Sequence, residues 1–226
     1  MSIRAPLLIS VLLVAAMAAA GYWAWMQLPP HAEIAVHWGV SGAPNGFAER
    51  TRALFLLPIM GMLVTALFCV LPSIEPRRAN LVASKKLYRA GWLGALLVMT
   101  LAQAAIVMNA LHRPFDVRAS IVTGVSLLLI VGGNYFGKSR ANFFAGIRTP
   151  WTLSSDYSWE KTHRLGGRLF VAAGIATLLV LAANGAPAGL FVLLGTLFGS
   201  LVVTVAMSYV YWRRDPDKNG APAMAE

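Results

Sequence analysis

Charged residues are scarce in this chain, and they are missing altogether from a few long segments. Of its 226 residues, 12% are charged and 58% are hydrophobic, whereas soluble domains carry about 25% charged residues. No Asp, Glu, Lys or Arg lies in residues 5–28, 53–73, 91–111, 120–136 or 169–212. This pattern excludes a soluble globular protein and predicts one integral membrane domain, residues 1–226. It also disfavours an ion-coupled carrier, because coupling needs ionisable groups inside the bilayer.

Cysteine and the common catalytic patterns are nearly missing as well. Cys69 is the only cysteine, so an internal disulfide is excluded. The chain has neither a His-Glu-x-x-His pattern nor a serine or cysteine nucleophile motif, so we expect no enzymatic activity and no cofactor. The net charge is +10, but no basic helix or aromatic stacking platform accompanies it. Direct nucleic-acid binding is therefore not expected.

The uncharged segments predict a polytopic all-α bundle of six transmembrane helices. A crossing needs about 20 apolar residues, and the fifth segment is long enough to cross twice, with NGAPAG at residues 184–189 as the turn. The first segment resembles a secretion signal, but it continues through Trp23 and Trp25, which favours an uncleaved helix. The bundle divides into residues 1–73, with two helices and an outer loop, residues 91–212, with four helices, and a tail at residues 213–226.

Basic residues mark one side of this bundle. They crowd the connections at residues 74–90 and 137–168 and the start of the tail, while the connections at residues 29–52 and 112–119 are weakly charged. By the positive-inside rule, this alternation places both termini in the cytoplasm and the 29–52 loop outside. We therefore expect a multi-pass protein of the cytoplasmic membrane, with the lipid bilayer as its first partner.

The outer loop contains a candidate strand. In HAEIAVHWGV, every second residue from Ile34 to Val40 is apolar, while His31, Glu33 and His37 share the other face, which predicts an extended segment packed on the bundle. SGAPNG at residues 41–46 predicts a tight turn after it. The backbone partner of the strand is not evident from the sequence.

The polar face of this strand raises the question of a metal site. His31, Glu33 and His37 are ligand types that suit zinc, and a membrane metalloenzyme is the corresponding alternative function. Along a straight strand, His31 and His37 are about 20 Å apart. One ion bridges them only if the strand bends sharply, so we expect no metal here.

The connection at residues 133–167, GNYFGKSRANFFAGIRTPWTLSSDYSWEKTHRLGG, has no hydrophobic period. Thr149 precedes Pro150, which pushes it to extended geometry. Ser154 or Ser155 is expected to cap a helix that follows.

Arg148 is embedded among apolar and rigid residues of this connection. Three partners are open for its guanidinium: a lipid phosphate, the carboxylate of Asp156 or Glu160, or a carboxylate on another protein. Trp151, directly after Pro150, is a rigid aromatic anchor of the kind found at interfaces. Four aromatic side chains are expected at the membrane boundary: Phe143, Phe144, Trp151 and Trp159.

Two glycine pairs at helical spacing predict close helix packing within the bundle: Gly133 with Gly137, and Gly195 with Gly199. Gly137 is also expected to end the fourth helix. The oligomeric state stays open.

These residues resemble a known family. Residues 133–153, followed by Trp159, Thr162 and Gly166, resemble the signature half of the SdpI-type immunity protein family. LPPHAEIAVHWGVSGAPNGFAER at residues 28–50 resembles the extracytoplasmic module often fused ahead of it. Seven residues occupy places of that module's pattern: Leu28, Pro29, Ile34, Val36, His37, Gly42 and Pro44. One departure is Asn45, near which family members often show an acidic residue.

The resemblance implies a small bacterial membrane protein. The family is named for a member that protects its cell from a secreted peptide toxin and holds a transcriptional repressor at the membrane when toxin is present. We therefore expect an immunity or signalling protein with a peptide toxin outside and a cytosolic regulator inside. The expected binding residues are His37, Trp38, Gly42 and Pro44 outside, and Asn134, Lys138, Arg140, Asn142, Gly146, Arg148, Thr149, Pro150, Trp151 and Trp159 inside. The alternative is a transporter or lipid-binding protein without ion coupling, in which Arg148 and Lys138 hold an anionic head group.

Overall fold

A computed structural model describes residues 2–219, and most of them lie in helices. In chain order the elements are α1 (Arg4–Gln27), β1 (Glu33–Trp38), β2 (Pro44–Glu49), α2 (Arg50–Ile74), α3 (Arg78–Ala83), α4 (Lys85–Ala110), α5 (Val117–Phe136), α6 (Pro150–Ser154), α7 (Asp156–Arg213) and α8 (Pro216–Asn219). Five of the described helices, α1, α2, α4, α5 and α7, are long and apolar enough to cross a membrane. The predicted helical membrane bundle with a small strand element is therefore confirmed.

Helix α7 is a helical hairpin rather than one rod. Gly185 has φ 81° and ψ 177°, outside the helical region, and it separates a first arm (residues 156–184) from a second arm (residues 186–213). The Ser158 hydroxyl donates to the Ser208 carbonyl at 2.8 Å, so the arms run antiparallel. The reversal thus occupies one residue instead of the predicted turn at residues 184–189, because glycine tolerates positive φ.

Helix starts differ from the uncharged segments because caps and polar turns extend the helices beyond the apolar runs. Helix α4 begins at Lys85, six residues before the predicted span. Helix α2 begins at Arg50, where the Glu49 carboxylate accepts from the Arg52 N–H at 3.3 Å. The backbone N–H of Thr51 lowers the pKa of the Glu49 carboxyl. The first arm of α7 begins at Asp156, well before the uncharged segment that starts at residue 169.

The outer strand finds its partner in the segment that the sequence marked as a turn. Strands β1 and β2 pair antiparallel, with Trp38 opposite Pro44 and an irregular register around His37. The predicted turn at residues 41–46 is wrong in position, since residues 39–43 turn and Pro44 already belongs to β2. Here the Gly39 N–H donates to the Ala43 carbonyl at 3.0 Å.

The hairpin packs through its apolar face on the C-terminal ends of α1 and α4 and on the N-terminal end of α2. One buried cluster joins these elements: Ala24, Ile34, Ala53, Leu54, Ile106 and Val107. Arg50 closes the end of α1, because its guanidinium donates to the carbonyls of Trp25 at 3.3 Å and Leu28 at 2.5 Å. The same guanidinium lies 4.3 Å from the centroid of the Trp25 ring. The contacts of Arg50 therefore tie the segments that enter and leave the hairpin to each other and to the bundle.

Two prolines inside α2 free carbonyls that α4 then satisfies. Pro58 and Pro72 have no N–H to donate to the residue four positions earlier, which is Leu54 and Phe68 respectively. The Gln103 side-chain amide donates to the Leu54 carbonyl at 2.9 Å, and the Tyr88 hydroxyl donates to the Phe68 carbonyl. Since unsatisfied backbone groups are costly in lipid, these two bonds fix α4 against α2.

Glycine lets α5 and the first arm of α7 approach closely, as predicted for Gly133 and Gly137. A Cβ atom at Gly167 would lie 2.5 Å from the Gly133 carbonyl oxygen, and one at Gly137 would lie 3.2 Å from the Arg164 Cα. Gly137 also ends α5. The second pair behaves differently, because Cβ atoms at Gly195 and Gly199 would meet open space.

Candidate functional site

The structure offers two candidate surfaces at opposite ends of α4. A cavity, which we call the outer cavity after the side of the membrane expected for the hairpin, adjoins the end near Asn109. The connection at residues 138–155, which we call the signature loop, lies at the end near Ser84. At 1.5 Å per residue the two are about 40 Å apart. A single helix therefore contacts both surfaces.

The outer cavity has a volume of 530 Å³ and a mostly apolar wall. Its lining comes from the hairpin, the end of α4, the start of α5 and the second arm of α7: Val36, His37, Trp38, Gly39, Val40, Gly42, Ala102, Ala105, Asn109, Phe115, Asp116, Val117, Arg118, Ile121, Val122, Leu190 and Leu194. Three of the four predicted outer residues, His37, Trp38 and Gly42, therefore line it, whereas Pro44 does not. Pockets of this size and character accept small ligands or short peptide segments.

Arg118 connects the hairpin turn to α5 at the edge of this cavity. Its guanidinium donates to the Ser41 carbonyl and lies against Gly42, where any Cβ would overlap it. Gly42 also has φ 83°, a conformation that favours glycine. Position 42 thus needs glycine for two separate reasons, its backbone and its contact with Arg118.

The polar groups of the hairpin are arranged for pairing within the hairpin. His37 Nδ1 lies 2.6 Å from Asn45 Oδ1, so Asn45 directs the ring of a residue that lines the cavity. His31 precedes β1, while Glu33 is its first residue. Within residues 2–219 no three metal-ligating side chains form a cluster.

Asn142 organises the signature loop from inside. Its side chain is fully buried, and its amide nitrogen donates to the carbonyls of Arg140 at 2.8 Å and Ala145 at 3.2 Å. Its oxygen accepts from the N–H groups of Phe144 at 3.0 Å and Ala145 at 2.7 Å. With all four bonds spent on the loop itself, Asn142 shapes this surface and presents none of its own polar atoms.

The connection between α2 and α4 forms a second support that the sequence reasoning missed. The buried Glu75 carboxylate accepts from the N–H groups of Phe143 at 3.0 Å and Arg77 at 2.9 Å. Asn80 donates to the Ala141 carbonyl at 2.8 Å, and Ser84 accepts from the Arg140 N–H at 2.8 Å. Glu75 is the only acidic residue in the basic connection at residues 74–90, and this isolation was the one feature of the sequence that could have indicated its role as a support.

His163 and Trp159 form the third support, on the first arm of α7. Trp159 is 1% exposed, so its predicted place at the membrane boundary is wrong; it stacks on His163 with ring centroids 3.9 Å apart. Its indole N–H donates to the Ser139 carbonyl at 3.1 Å. Gly146 has φ 130°, and a Cβ there would lie 2.3 Å from His163 Nε2, so only glycine fits this position.

The TPWT segment is a capped turn joined to the second arm of α7. As predicted, Thr149 is extended before Pro150, and its hydroxyl accepts from the Thr152 N–H. The Thr149 and Ser208 hydroxyls are 3.1 Å apart, and the Trp151 ring meets Tyr209 edge-on at 5.2 Å. Ser155, one of the two predicted caps, accepts from the Ser158 N–H at 2.9 Å.

Five of the predicted inner site residues have exposed side chains, namely Asn134, Lys138, Arg140, Arg148 and Pro150, and Phe143 and Ser154 are exposed as well. Arg148 donates to the Phe143 carbonyl at 2.5 Å, while Glu160 pairs with Arg164 at 2.6 Å. Arg148 therefore closes the loop with part of its guanidinium and leaves the remaining donors toward solvent. The signature loop is a hydrogen-bonded frame with basic groups on its solvent-exposed face.

Two known protein families match the segments of the chain that contain the two candidate surfaces. Residues 138–211 match the SdpI/YfhL protein family, and residues 12–62 match a domain of unknown function (DUF1648). The chain is 24% identical over 182 residues to immunity protein SdpI of Bacillus subtilis (strain 168), which covers 80% of this chain and 84% of that relative. No solved structure matches the chain. The first match contains the signature loop and the second contains the hairpin.

Proposed function

We propose that this chain, which is similar to immunity protein SdpI over 80% of its length, is a non-enzymatic immunity protein of the bacterial membrane that binds a peptide toxin in the outer cavity. The observation that carries this proposal is the 530 Å³ apolar cavity under the hairpin. A toxin that acts on membranes must carry apolar side chains, and burying them here removes them from the lipid. His37 and Arg118 at the cavity wall provide polar contacts for the peptide backbone.

The proposed topology has six crossings, two of them from the arms of α7, with both termini in the cytoplasm. Basic residues are concentrated at the signature-loop end, which supports this orientation by the positive-inside rule. In a Cys69→Ala background, Ser41→Cys is expected to react with an impermeant thiol reagent added to intact cells. Ser154→Cys, which is also exposed, is expected to react only after lysis. Labelling of Ser154→Cys in intact cells would contradict the orientation.

We further propose that the solvent-exposed face of the signature loop binds a cytosolic regulator through Arg148, Arg140 and Pro150. Its frame is held from α2, α3 and both arms of α7, which supports a preorganised surface. Because α4 contacts both ends, toxin binding and regulator docking would be coupled through movement of α4 relative to the hairpin. Such coupling requires that toxin bind two states of the protein with different affinity.

The test of the immunity role uses Bacillus subtilis cells that lack SdpI and are exposed to the toxin against which SdpI protects them. Expression of this chain is expected to restore growth. Ala102→Trp fills the cavity from the α4 side and is expected to abolish that protection, whereas Ala66→Trp, exposed on α2, keeps it. Equal protection by both variants at equal membrane abundance would exclude the cavity as the toxin site.

A further inference from the structure

A membrane-facing groove between α4 and α5 lies outside the surfaces used by the proposed function. It has a volume of 410 Å³ and an almost wholly apolar wall. It is lined by Lys86, Arg89, Ala90, Leu93, Gly94, Leu97, Leu127, Leu128, Val131 and Tyr135. The floor is formed where Gly94 meets Leu128, since a Cβ at Gly94 would overlap that leucine.

The groove has the length of one leaflet. Its wall on α4 runs from Lys86 to Leu97, which at 1.5 Å per residue is about 16 Å. Half of a hydrocarbon core of about 30 Å is about 15 Å. Leu97, Leu127 and Val131 are each more than 40% exposed along it. An acyl chain that enters beside Tyr135 therefore ends near the bilayer centre.

Two uncompensated cations stand at the polar end of the groove. The ammonium groups of Lys86 and Lys138 each lie 5.9 Å from the centroid of the Tyr135 ring. Among the described residues, the one ion pair joins Arg164 to Glu160, so no carboxylate neutralises these lysines. Glu75, the buried acid at this end, is occupied by backbone N–H groups. A phosphate bound at this end of the groove, close to both lysines, would supply the missing negative charge.

We propose that this groove is a binding site for one anionic phospholipid. The head-group phosphate binds at the Lys86 end of the groove, beside Tyr135 and within the positive field of Lys138, and one acyl chain lies along Leu93, Leu97 and Val131. The site is spatially separate from the proposed toxin site, because it lies at the other end of α4 from the outer cavity. A lipid held there joins α4 to the start of the signature loop.

The test measures lipid binding to the delipidated full-length protein by native mass spectrometry. Phosphatidylglycerol and phosphatidylcholine with identical acyl chains are added in separate titrations. The wild type is expected to prefer phosphatidylglycerol. The double variant Lys86→Gln/Lys138→Gln is expected to lose about thirtyfold in phosphatidylglycerol affinity, which corresponds to about 2 kcal/mol.

Lys161→Gln is the matched control. Lys161 is exposed and its ammonium lies 5.5 Å from the Tyr157 ring, so it makes the same kind of contact away from the groove. Unchanged binding by this control supports a defined site. An equal loss for both sets of variants would overturn the proposal, because it would indicate attraction to the general positive charge.

Val131→Trp tests the apolar part of the site without changing charge. The indole fills the groove and is expected to reduce binding of both lipids, whereas Leu63→Trp, on an exposed part of α2, is expected to have no effect. Full phosphatidylglycerol binding by Val131→Trp would show that the chain lies elsewhere and would overturn the proposal. Gel filtration of each variant confirms that a loss of binding is not a loss of fold.

Discussion

The Nε2 atom of His163 accepts a 2.9 Å hydrogen bond from the backbone N–H of Ile147. Its Nδ1 atom lies 2.7 Å from the Trp159 carbonyl, so the neutral ring donates to its own helix and accepts from the signature loop. The side chain is fully buried. His163 thus fixes the signature loop to α7, although Ile147 and His163 are separated in the chain by the short helix α6 and the first turns of α7.

His163→Phe is expected to loosen this attachment while keeping an aromatic ring against Trp159. The Ile147 N–H would be left without its partner, which lowers the free energy of unfolding by about 1–3 kcal/mol. Unfolding in mixed detergent micelles and the rate of protease cleavage within residues 143–149 provide the measurements. Lys161→Ala, exposed on the same helix, should change the unfolding free energy by no more than about 0.5 kcal/mol. Equal cleavage rates for both variants would argue against the role of His163.

Gln103→Leu is expected to destabilise the protein more in the presence of Pro58 than in a Pro58→Ala background. In the wild type the amide of Gln103 occupies the Leu54 carbonyl that Pro58 leaves free. Pro58→Ala supplies a helical N–H to the same carbonyl, so the loss caused by Gln103→Leu should shrink in that background. A double-mutant cycle on unfolding free energies should give a coupling of about 1 kcal/mol. Additive effects would mean that the two residues act independently.

Gly167→Ala and Gly195→Ala, both in α7, are expected to change the free energy of unfolding in opposite directions. At Gly167 an added methyl would lie 2.5 Å from the Gly133 carbonyl oxygen, so α5 must move and the unfolding free energy should fall by about 1–3 kcal/mol. At Gly195 the methyl would meet open space, and Gly195→Ala should be neutral or stabilising by up to about 1 kcal/mol. Thermal unfolding of the two variants side by side decides the matter, and a loss at Gly195 equal to that at Gly167 would refute the packing account.

Asn45→Asp is expected to improve protection against a cationic peptide toxin. The family resemblance places an acid near this position, and an aspartate keeps the oxygen that faces His37 Nδ1. An exposed charge pair contributes about 0.2–1 kcal/mol, so toxin tolerance should rise by a factor of about 1.4 to 5. Growth of the Bacillus subtilis cells lacking SdpI gives the measure. Gln27→Glu, exposed at the end of α1, adds the same charge away from β2, and an equal gain there would point to general surface charge.

The helices were predictable because their signal is local. An uncharged apolar run of bilayer length identifies itself without reference to the rest of the chain, and the cap at Ser155 and the extended Thr149 follow from neighbouring residues. Strand β1 was predictable for the same reason. Strand β2 was not, because PNGFAE contains the residues typical of a turn and becomes a strand only through pairing with β1.

The supports of the signature loop were hidden because their partners are far apart in the sequence. Glu75 meets Phe143 across 68 residues, and Asn80 meets Ala141 across 61. Trp159 was misplaced because tryptophan near a span end usually anchors a helix at the boundary. Here the helix starts early, at Asp156, and that start turns Trp159 toward the interior.

The two prolines of α2 also determine an order of events during synthesis. Leu54 is made 49 residues before Gln103, and at about 5–20 residues per second the ribosome needs roughly 2–10 s to cover that distance. For that time α2 carries open carbonyl groups that lipid does not satisfy. We therefore expect α2 to stay beside the water-filled channel of the insertion machinery until α4 arrives, so that the first three spanning helices enter the bilayer together.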